Sequence, residues 1–298
     1  MNSRILVSGA SGPIGAALLP SLCASGYSVV RLVRGAATGD AQISWNPAKP
    51  LLPQAVARFD AVIHLAGEGI VGRWTAAKKA SIRDSRVQGT LNLAQALAHV
   101  EEKPRVFLCA SAIGYYGNRG DEPLREDSLP GAGFLAQVCQ EWENATRPAS
   151  EAGIRTLQTR IGVVLSPRGG ALGKMLTPFK MGIGGLIGSG RQWMSWIDVQ
   201  DLVGAVQHIL KTDSLQGPVN LVAPNPVTNA EFTKTLASVL SRPAIFPTPA
   251  FAVRLAFGEM GDAVLLGSQR VVPAKLAASG YAFRFPELRA ALENTLRK

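Results

Sequence analysis

The stretch that most restricts how this chain can fold is Gly9-Ala10-Ser11-Gly12-Pro13-Ile14-Gly15. An apolar run, Ile5-Leu6-Val7, precedes it, and an amphipathic stretch over residues 14–22 follows, closed by Gly26. Strand, tight glycine-rich turn and helix start therefore lie end to end, the context in which such a loop receives a dinucleotide. The glycines make the turn, let backbone approach a pyrophosphate and let the helix sit close to the strand. Free amides and the positive end of the helix dipole then meet the phosphates. The spacing is G-x-x-G-x-x-G, not G-x-G-x-x-G, and Gly9, Ser11, Gly12, Pro13, Ile14 and Gly15 are the expected cradle.

The following segments extend this reading. Residues 28–33 form a second strand, whose end faces the adenosine ribose in a fold of this type. NAD sites place an acidic residue there, and NADP sites an arginine. This strand contains Arg31, is followed by Arg34, and meets no Asp or Glu before Asp40, so NADP(H) is the expected cofactor. Residues 60–67 read as a short buried strand ending in small residues, which puts Leu65, Ala66 and Gly67 beside a cofactor, with Glu68 just beyond. A polar helical region over 78–100 carries Val87, Leu91, Leu93, Ala94 and Leu97 near helical spacing. Residues 106–111 are another buried strand ending in Ala110-Ser111, 133–152 read as a helix, and 155–164 as the next strand. Arg86, Arg160 and Gly162 complete the expected cofactor set. Alternating helices with near-continuous apolar strands argue for a parallel sheet covered on both faces. The fold class is α/β, a Rossmann-type doubly wound parallel sheet with a small interleaved C-terminal substrate domain.

At 298 residues, 47% hydrophobic and 17% charged, the chain can bury a large core. Cys23, Cys109 and Cys139 sit in apolar or helical contexts and read as reduced core residues, while His64, His99 and His208 are scattered, so no metal site is expected. The formal charge of +10 is dispersed, with no run of five basic residues and no aromatic interleaving. That pattern argues against nucleic acid and for attraction to a phosphorylated cofactor. No apolar stretch reaches the roughly 18 residues of a membrane span, and Met1-Asn2-Ser3-Arg4 leads straight into the first strand. The expectation is a cytoplasmic protein whose partner is a small molecule, neither nucleic acid nor membrane, with a homodimer left open.

Several stretches resemble those of extended short-chain dehydrogenase/reductases. They are the loop 8–15, the strand end His64-Leu65-Ala66-Gly67, the pair Gly89-Thr90, and Ala110-Ser111-Ala112-Ile113-Gly114-Tyr115-Tyr116-Gly117. Further stretches narrow the resemblance to the atypical epimerase family, sometimes labelled cell-division-inhibitor-like. They are Ala66-Gly67-Glu68 followed by Arg73-Trp74, residues 85–90, residues 188–193 with Trp196-Ile197-Asp198, residues 223–229, Gly258-Glu259-Met260, and Pro273-Ala274-Lys275-Leu276. The resemblance covers essentially the whole chain. It implies an NADP-binding Rossmann domain over 1–165, with return segments near 196–224, and a smaller mixed α/β substrate-binding cap over 166–298.

The family's catalytic residues are only partly present. Active extended members use a Ser, a Tyr-x-x-x-Lys and an Asn. Ser111 matches the serine and would polarise a substrate oxygen. The Tyr-x-x-x-Lys should begin the helix near Phe134, but its two registers give Phe134 with Val138, or Leu135 with Cys139, and Arg86 stands where the asparagine is usual. Without the lysine's charge, a phenol of pKa about 10 is a poor proton carrier at neutral pH. Tyr115, Tyr116 and Glu68 are the candidate proton donors, and Arg73, Arg83 and Arg86 candidates for an anionic substrate or the cofactor phosphate.

Farther on, Gly169-Gly170 and Gly184-Gly185 mark loops in a glycine-rich stretch over 166–190. Asp198 is the expected N-cap of a helix over 200–210, residues 218–222 a last sheet strand, and Thr228-Asn229 with Glu231 the start of a helix over 228–240. Residues 247–266 and 287–296 read as further helices. Trp193 and Trp196 either line a substrate pocket or pack. The expected function is an NADP(H)-binding oxidoreductase or epimerase-like enzyme acting on an unknown small molecule. The rival reading is a catalytically silent NADP(H) sensor or scaffold.

Overall fold

Arg4–Ser8 (β1) runs through the glycine loop into helix Pro13–Ala24 (α1), and Ser28–Val33 (β2) returns parallel to β1. Gln42–Ser44 (β3) adds an edge strand beside β2. The chain then crosses back, so that Ala61–His64 (β4) pairs with the other side of β1, and Val106–Ala112 (β5), Arg155–Ile161 and Gly217–Leu221 follow outward. The result is a seven-stranded parallel sheet whose direction of growth reverses between β1 and β4. In such sheets the crevice at the carboxyl ends of the strands on either side of the reversal is where ligands bind. This computed structural model describes residues 3–167 and 169–296. The expected entry of Met1 and Asn2 into the first strand, and Arg168 of the glycine-rich stretch, lie outside the described residues.

Helices on both faces explain why the strands are apolar on both sides. Val7, Ile63, Leu108 and Leu157 form one row across four strands and pack on Leu18 and Leu22 of α1 and on Leu202, Val206 and Ile209 of helix Val199–Lys211. One residue earlier, Leu6, Val62 and Phe107 face the opposite way, against Leu93 and Leu97 of Ala76–Ala98 (α2). Successive side chains of a strand point to opposite faces, so each strand supplies both cores. A third cluster joins Leu172, Leu176 and Phe179 of Gly170–Lys180 with Phe232 and Leu236 of Asn229–Leu240 and Leu288 and Leu292 of Leu288–Leu296.

Local chemistry sets the helix boundaries. Pro13 opens α1 where its missing N–H costs nothing. Thr75 accepts a bond from Lys78 N and caps α2, and Asp198 accepts from Gln200 N as expected. Thr228 and Glu231 form a reciprocal capping box. Three expectations fail. The helix expected over 133–152 is two, Phe134–Asn144 (α3) and Arg147–Glu151 (α4), because Pro148 cannot donate to a continuing helix. The helix expected over 247–266 is only Ala250–Phe257, stopped by Gly258 at φ +58°, before a single π turn at Gly261–Leu265. Cys23 is exposed on α1, not buried like Cys109 and Cys139, because the core-facing residues there are Leu18 and Leu22.

Asp201, in the first turn of helix Val199–Lys211, ties the C-terminal segment to that helix. Its fully buried carboxylate accepts from Arg284 N at 2.7 Å and Phe285 N at 2.9 Å, and its carbonyl accepts from the Tyr281 hydroxyl at 2.7 Å. Asp201→Ala would remove the acceptor of two amides at a partly buried junction, a loss of about 0.5–1.5 kcal/mol for each hydrogen bond. Chemical denaturation should show a midpoint shift of that size, with Asp201→Asn intermediate.

Candidate cofactor cleft

Three backbone segments meet where β1 ends. Gly9 has φ +71°, and a side chain there would place its Cβ 2.6 Å from the Leu65 carbonyl carbon. A Cβ at Gly15 would lie 2.5 Å from Gly9 O. These two glycines are therefore required by the fold itself. Gly12 differs, since its φ is ordinary and a Cβ would meet only Gly9 O, at 3.4 Å. Gly12 is also the N-cap of α1 and offers no side-chain cap, so the first amides of the helix have no side-chain acceptor there. An open backbone face with free amides at a helix start fits a pyrophosphate.

The loop forms one wall of a cleft of about 340 Å³. Gly9, Ser11 and Gly12 line it with Arg31 and Arg34 from the end of β2, and with Leu65, Ala66, Gly67 and Glu68 from beyond β4. Among the described residues neither Arg31 nor Arg34 makes a side-chain hydrogen bond or a close ion pair, although the Arg34 charge helps to hold the Glu68 carboxyl low, and both arginines are on the cleft wall. Two such guanidinium groups beside a phosphate cradle suit the additional phosphate of NADP(H). Pro13, Ile14 and Gly15 stand behind the wall in α1.

Trp45, Pro47 and Ser85 also line the cleft, and sequence reasoning missed them. Trp45 follows β3, and its ring meets the buried His64 ring edge-on, with centroids 5.9 Å apart. A lone aromatic in a polar loop was the available signal. The floor beneath is braced by Ser8, whose hydroxyl shares a 2.6 Å bond with His64 Nδ1 and accepts from the amides of Leu65 and Ala66. Burial pushes the His64 imidazole down to about 4, so it is neutral. Ser85 Oγ accepts from Glu68 N at 3.0 Å. Arg86 does not line the cleft. Its Nη1 donates to Glu68 O and Ile82 O, and a Cβ on Gly67 would lie 3.3 Å from its guanidinium carbon, so it holds the 67–68 turn from below.

The reaction side is organised differently from the expectation. Ser111 is buried and its hydroxyl donates to Glu143 Oε1 at 2.7 Å. Glu143 is held by Arg160 through two bonds, Nε to Oε1 at 2.8 Å and Nη2 to Oε2 at 2.9 Å. A hydroxyl has one proton, and this one is committed to a carboxylate. Ser111 can therefore accept a hydrogen bond but not give one, the reverse of polarising a carbonyl. Arg160 likewise stays out of the cleft, buried against Glu143, the Tyr116 hydroxyl and the Glu126 carbonyl. Tyr116 is fully buried, donates to Asn220 Oδ1, and is pushed up to about 12 by burial, so it is no proton donor at neutral pH. Tyr115 is half-buried with the Arg160 guanidinium 3.5 Å above its ring. Glu68 is ion-paired with Lys78 at 2.8 Å, whose hydrogen bond holds its carboxyl below the usual range.

The helix register is also resolved. Leu135 and Cys139 of α3 face Gly114 after β5, whereas Phe134 turns to the Trp74 ring at 5.1 Å. The positions facing the end of β5 are thus a leucine and a cysteine whose thiol is pushed up to about 12 by burial. Ala110 belongs to the buried core, and Gly162 is a packing glycine, since a Cβ there would lie 2.6 Å from Ser195 O. Trp196 is buried, while Trp193 donates to Asp121 Oδ1 under the Arg270 guanidinium. Among the described residues no cluster could hold a metal ion.

The model of the NAD dependent epimerase/dehydratase family matches residues 5–222, well over half of the chain. The chain belongs to this family. A second model, a domain of unknown function termed DUF1731, matches residues 248–295. The epimerase family protein MT2273 of Mycobacterium tuberculosis is 44% identical over 293 residues, covering 98% of this chain and 97% of that one. The crystal structure of the human epimerase family protein SDR39U1 with NADPH superposes with a TM-score of 0.91 at 36% identity, over 99% of both chains. The UDP-glucuronic acid 4-epimerase of Bacillus cereus in complex with NAD, 17% identical with a TM-score of 0.78 over 97% of this chain and 94% of that one, shares the fold.

For this epimerase-family chain, Gly12→Ala should leave the circular dichroism spectrum and melting temperature near wild type and weaken NADPH binding about tenfold or more. Gly15→Ala should lower stability, because its methyl group meets the Gly9 carbonyl. Equal NADPH affinity in wild type and Gly12→Ala would show the loop to be structural only.

Proposed function

We propose that this protein binds NADP(H) in the cleft between β1 and β4 and is an oxidoreductase or epimerase-like enzyme acting on a small molecule. The observation that carries the reading is the pair Arg31 and Arg34, free of side-chain hydrogen bonds among the described residues at the end of β2, beside a glycine that the fold does not need. Gly9, Ser11 and Gly12 would hold the pyrophosphate, Arg31 and Arg34 the 2′-phosphate, and Trp45 the adenine end. Leu65, Ala66 and Gly67 would pass beneath the nicotinamide ribose. The NADPH-bound human relative supports the same choice of cofactor. Bound NADPH supplies a hydride from the nicotinamide C4.

What this chain contributes to the chemistry follows from its polar groups. Ser111 offers lone pairs, so it would orient a donor, such as the cofactor's carboxamide N–H or a substrate hydroxyl. Leu135 and Cys139 would form an apolar wall that offers no proton, and among the described residues no lysine lies where it could lower the pKa of a phenol. Such a site suits an acceptor whose reduced oxygen takes its proton from water, a quinone before a simple ketone. The segment 166–298 would supply the substrate side. The locked Ser111–Glu143 bond favours a second reading, an NADP(H) sensor without turnover.

A screen of NADPH oxidation separates the two. The enzyme reading expects turnover of quinones above aldehydes and ketones. Leu135→Tyr with Cys139→Lys should then raise ketone reduction toward the roughly 10²–10⁴-fold that a positioned general acid supplies, while Phe134→Tyr with Val138→Lys should not. Tight NADPH binding without turnover of any acceptor would favour the sensor.

A further inference from the structure

Three neighbouring segments of the C-terminal part carry large apolar side chains that no described residue covers. They are Met181 and Ile183 after helix Gly170–Lys180, Ile245 and Phe246, and Phe251 and Leu255 of helix Ala250–Phe257. Each is 52–74% exposed. The segments are joined by backbone bonds, Phe246 N to Gly184 O at 3.2 Å and Thr248 N to Leu186 O at 2.7 Å, and a Cβ on Gly188 would touch Ala250. None of the six side chains lines the cofactor cleft. Exposed apolar surface on this scale marks an interaction site.

The three segments themselves carry basic residues and no acidic ones, the next acids along the chain being Glu259 and Asp262. Residues 152–197 and 232–258, which contain all three segments, have no Asp or Glu. Lys180 and Arg242 border the patch, both exposed, with Arg242 Nε donating to Lys180 O at 3.2 Å and neither in an ion pair with a described residue. Arg254, between Phe251 and Leu255, is paired with Asp262 at 2.8 Å. We infer that this face docks on an anionic lipid bilayer, with the six apolar side chains entering the interface and Lys180 and Arg242 meeting lipid phosphates. Apolar burial and attraction to anionic headgroups act together in such contacts. A second copy of the chain fits less well. A two-fold interface through this face would bring the Lys180 and Arg242 pairs of both copies together with no carboxylate from these segments between them. The sequence expectation of no membrane partner rested on spanning segments, and among the described residues no helix is long and apolar enough to cross a bilayer. Surface docking needs none.

Vesicle co-sedimentation of the full chain tests this. Vesicles of phosphatidylcholine mixed with phosphatidylglycerol should pellet the protein, phosphatidylcholine alone should not, and added salt should release it. Phe251→Ser with Leu255→Ser, and separately Lys180→Glu with Arg242→Glu, should each weaken vesicle binding about tenfold or more. Both variants should bind NADPH as the wild type does, which shows them folded. No pelleting with anionic vesicles, or pelleting unchanged in both variants, overturns the inference. So does a wild-type dimer in sedimentation velocity that the Phe251→Ser, Leu255→Ser variant loses while vesicles bind neither protein.

Discussion

The cofactor cleft depends on a close backbone approach at Gly9, where β1, the start of α1 and the segment after β4 touch. The peptide of Leu65 occupies the space of a Gly9 side chain, and the Gly9 carbonyl occupies that of a Gly15 side chain. Because the strands are parallel and grow away from β1 in both directions, this contact lies at the point where the sheet reverses. Everything lining the cleft is positioned from it. The Ser8 hydroxyl below fixes the 65–66 amides, Arg86 supports the next turn, and β2 presents its arginines from the other side.

The two halves of the site are built on different physical terms. The cofactor half is backbone, glycine and the two cleft arginines, open to a ligand. The other half is a closed polar network in which Ser111, Glu143, Arg160, Tyr116 and Asn220 satisfy one another. The Arg160–Glu143 pair has side chains only 3% and 12% exposed. Removing one partner of such a pair leaves a buried charge and costs about 3–5 kcal/mol. The network thus supports the end of β5, and it leaves the Ser111 hydroxyl as an acceptor only.

The architecture and the cofactor loop were legible because they depend on local order: apolar strands, glycine spacing and the arginines of one strand. Ser111 was legible as a position but not as a role, since its partner lies 32 residues away on α3. Arg160 and Gly162 belong to the expected cofactor set, yet one is sequestered by Glu143 and the other is a packing glycine. Trp45 escaped because a single aromatic in a loop has no period to betray it. The split of α3 from α4 turned on one proline, a cue the apolar pattern outweighed. The exposed apolar face was invisible because its residues come from three segments, none of which is apolar enough alone.

Under the proposed function, Arg31 and Arg34 recognise the phosphate on the adenosine ribose. Calorimetric titration of the wild-type chain with NADPH and NADH under one buffer tests it directly. The account predicts NADPH binding at least about tenfold tighter, roughly 1.4 kcal/mol, with the difference abolished in an Arg31→Ala, Arg34→Ala variant. Equal affinity of the wild type for the two nucleotides would contradict it.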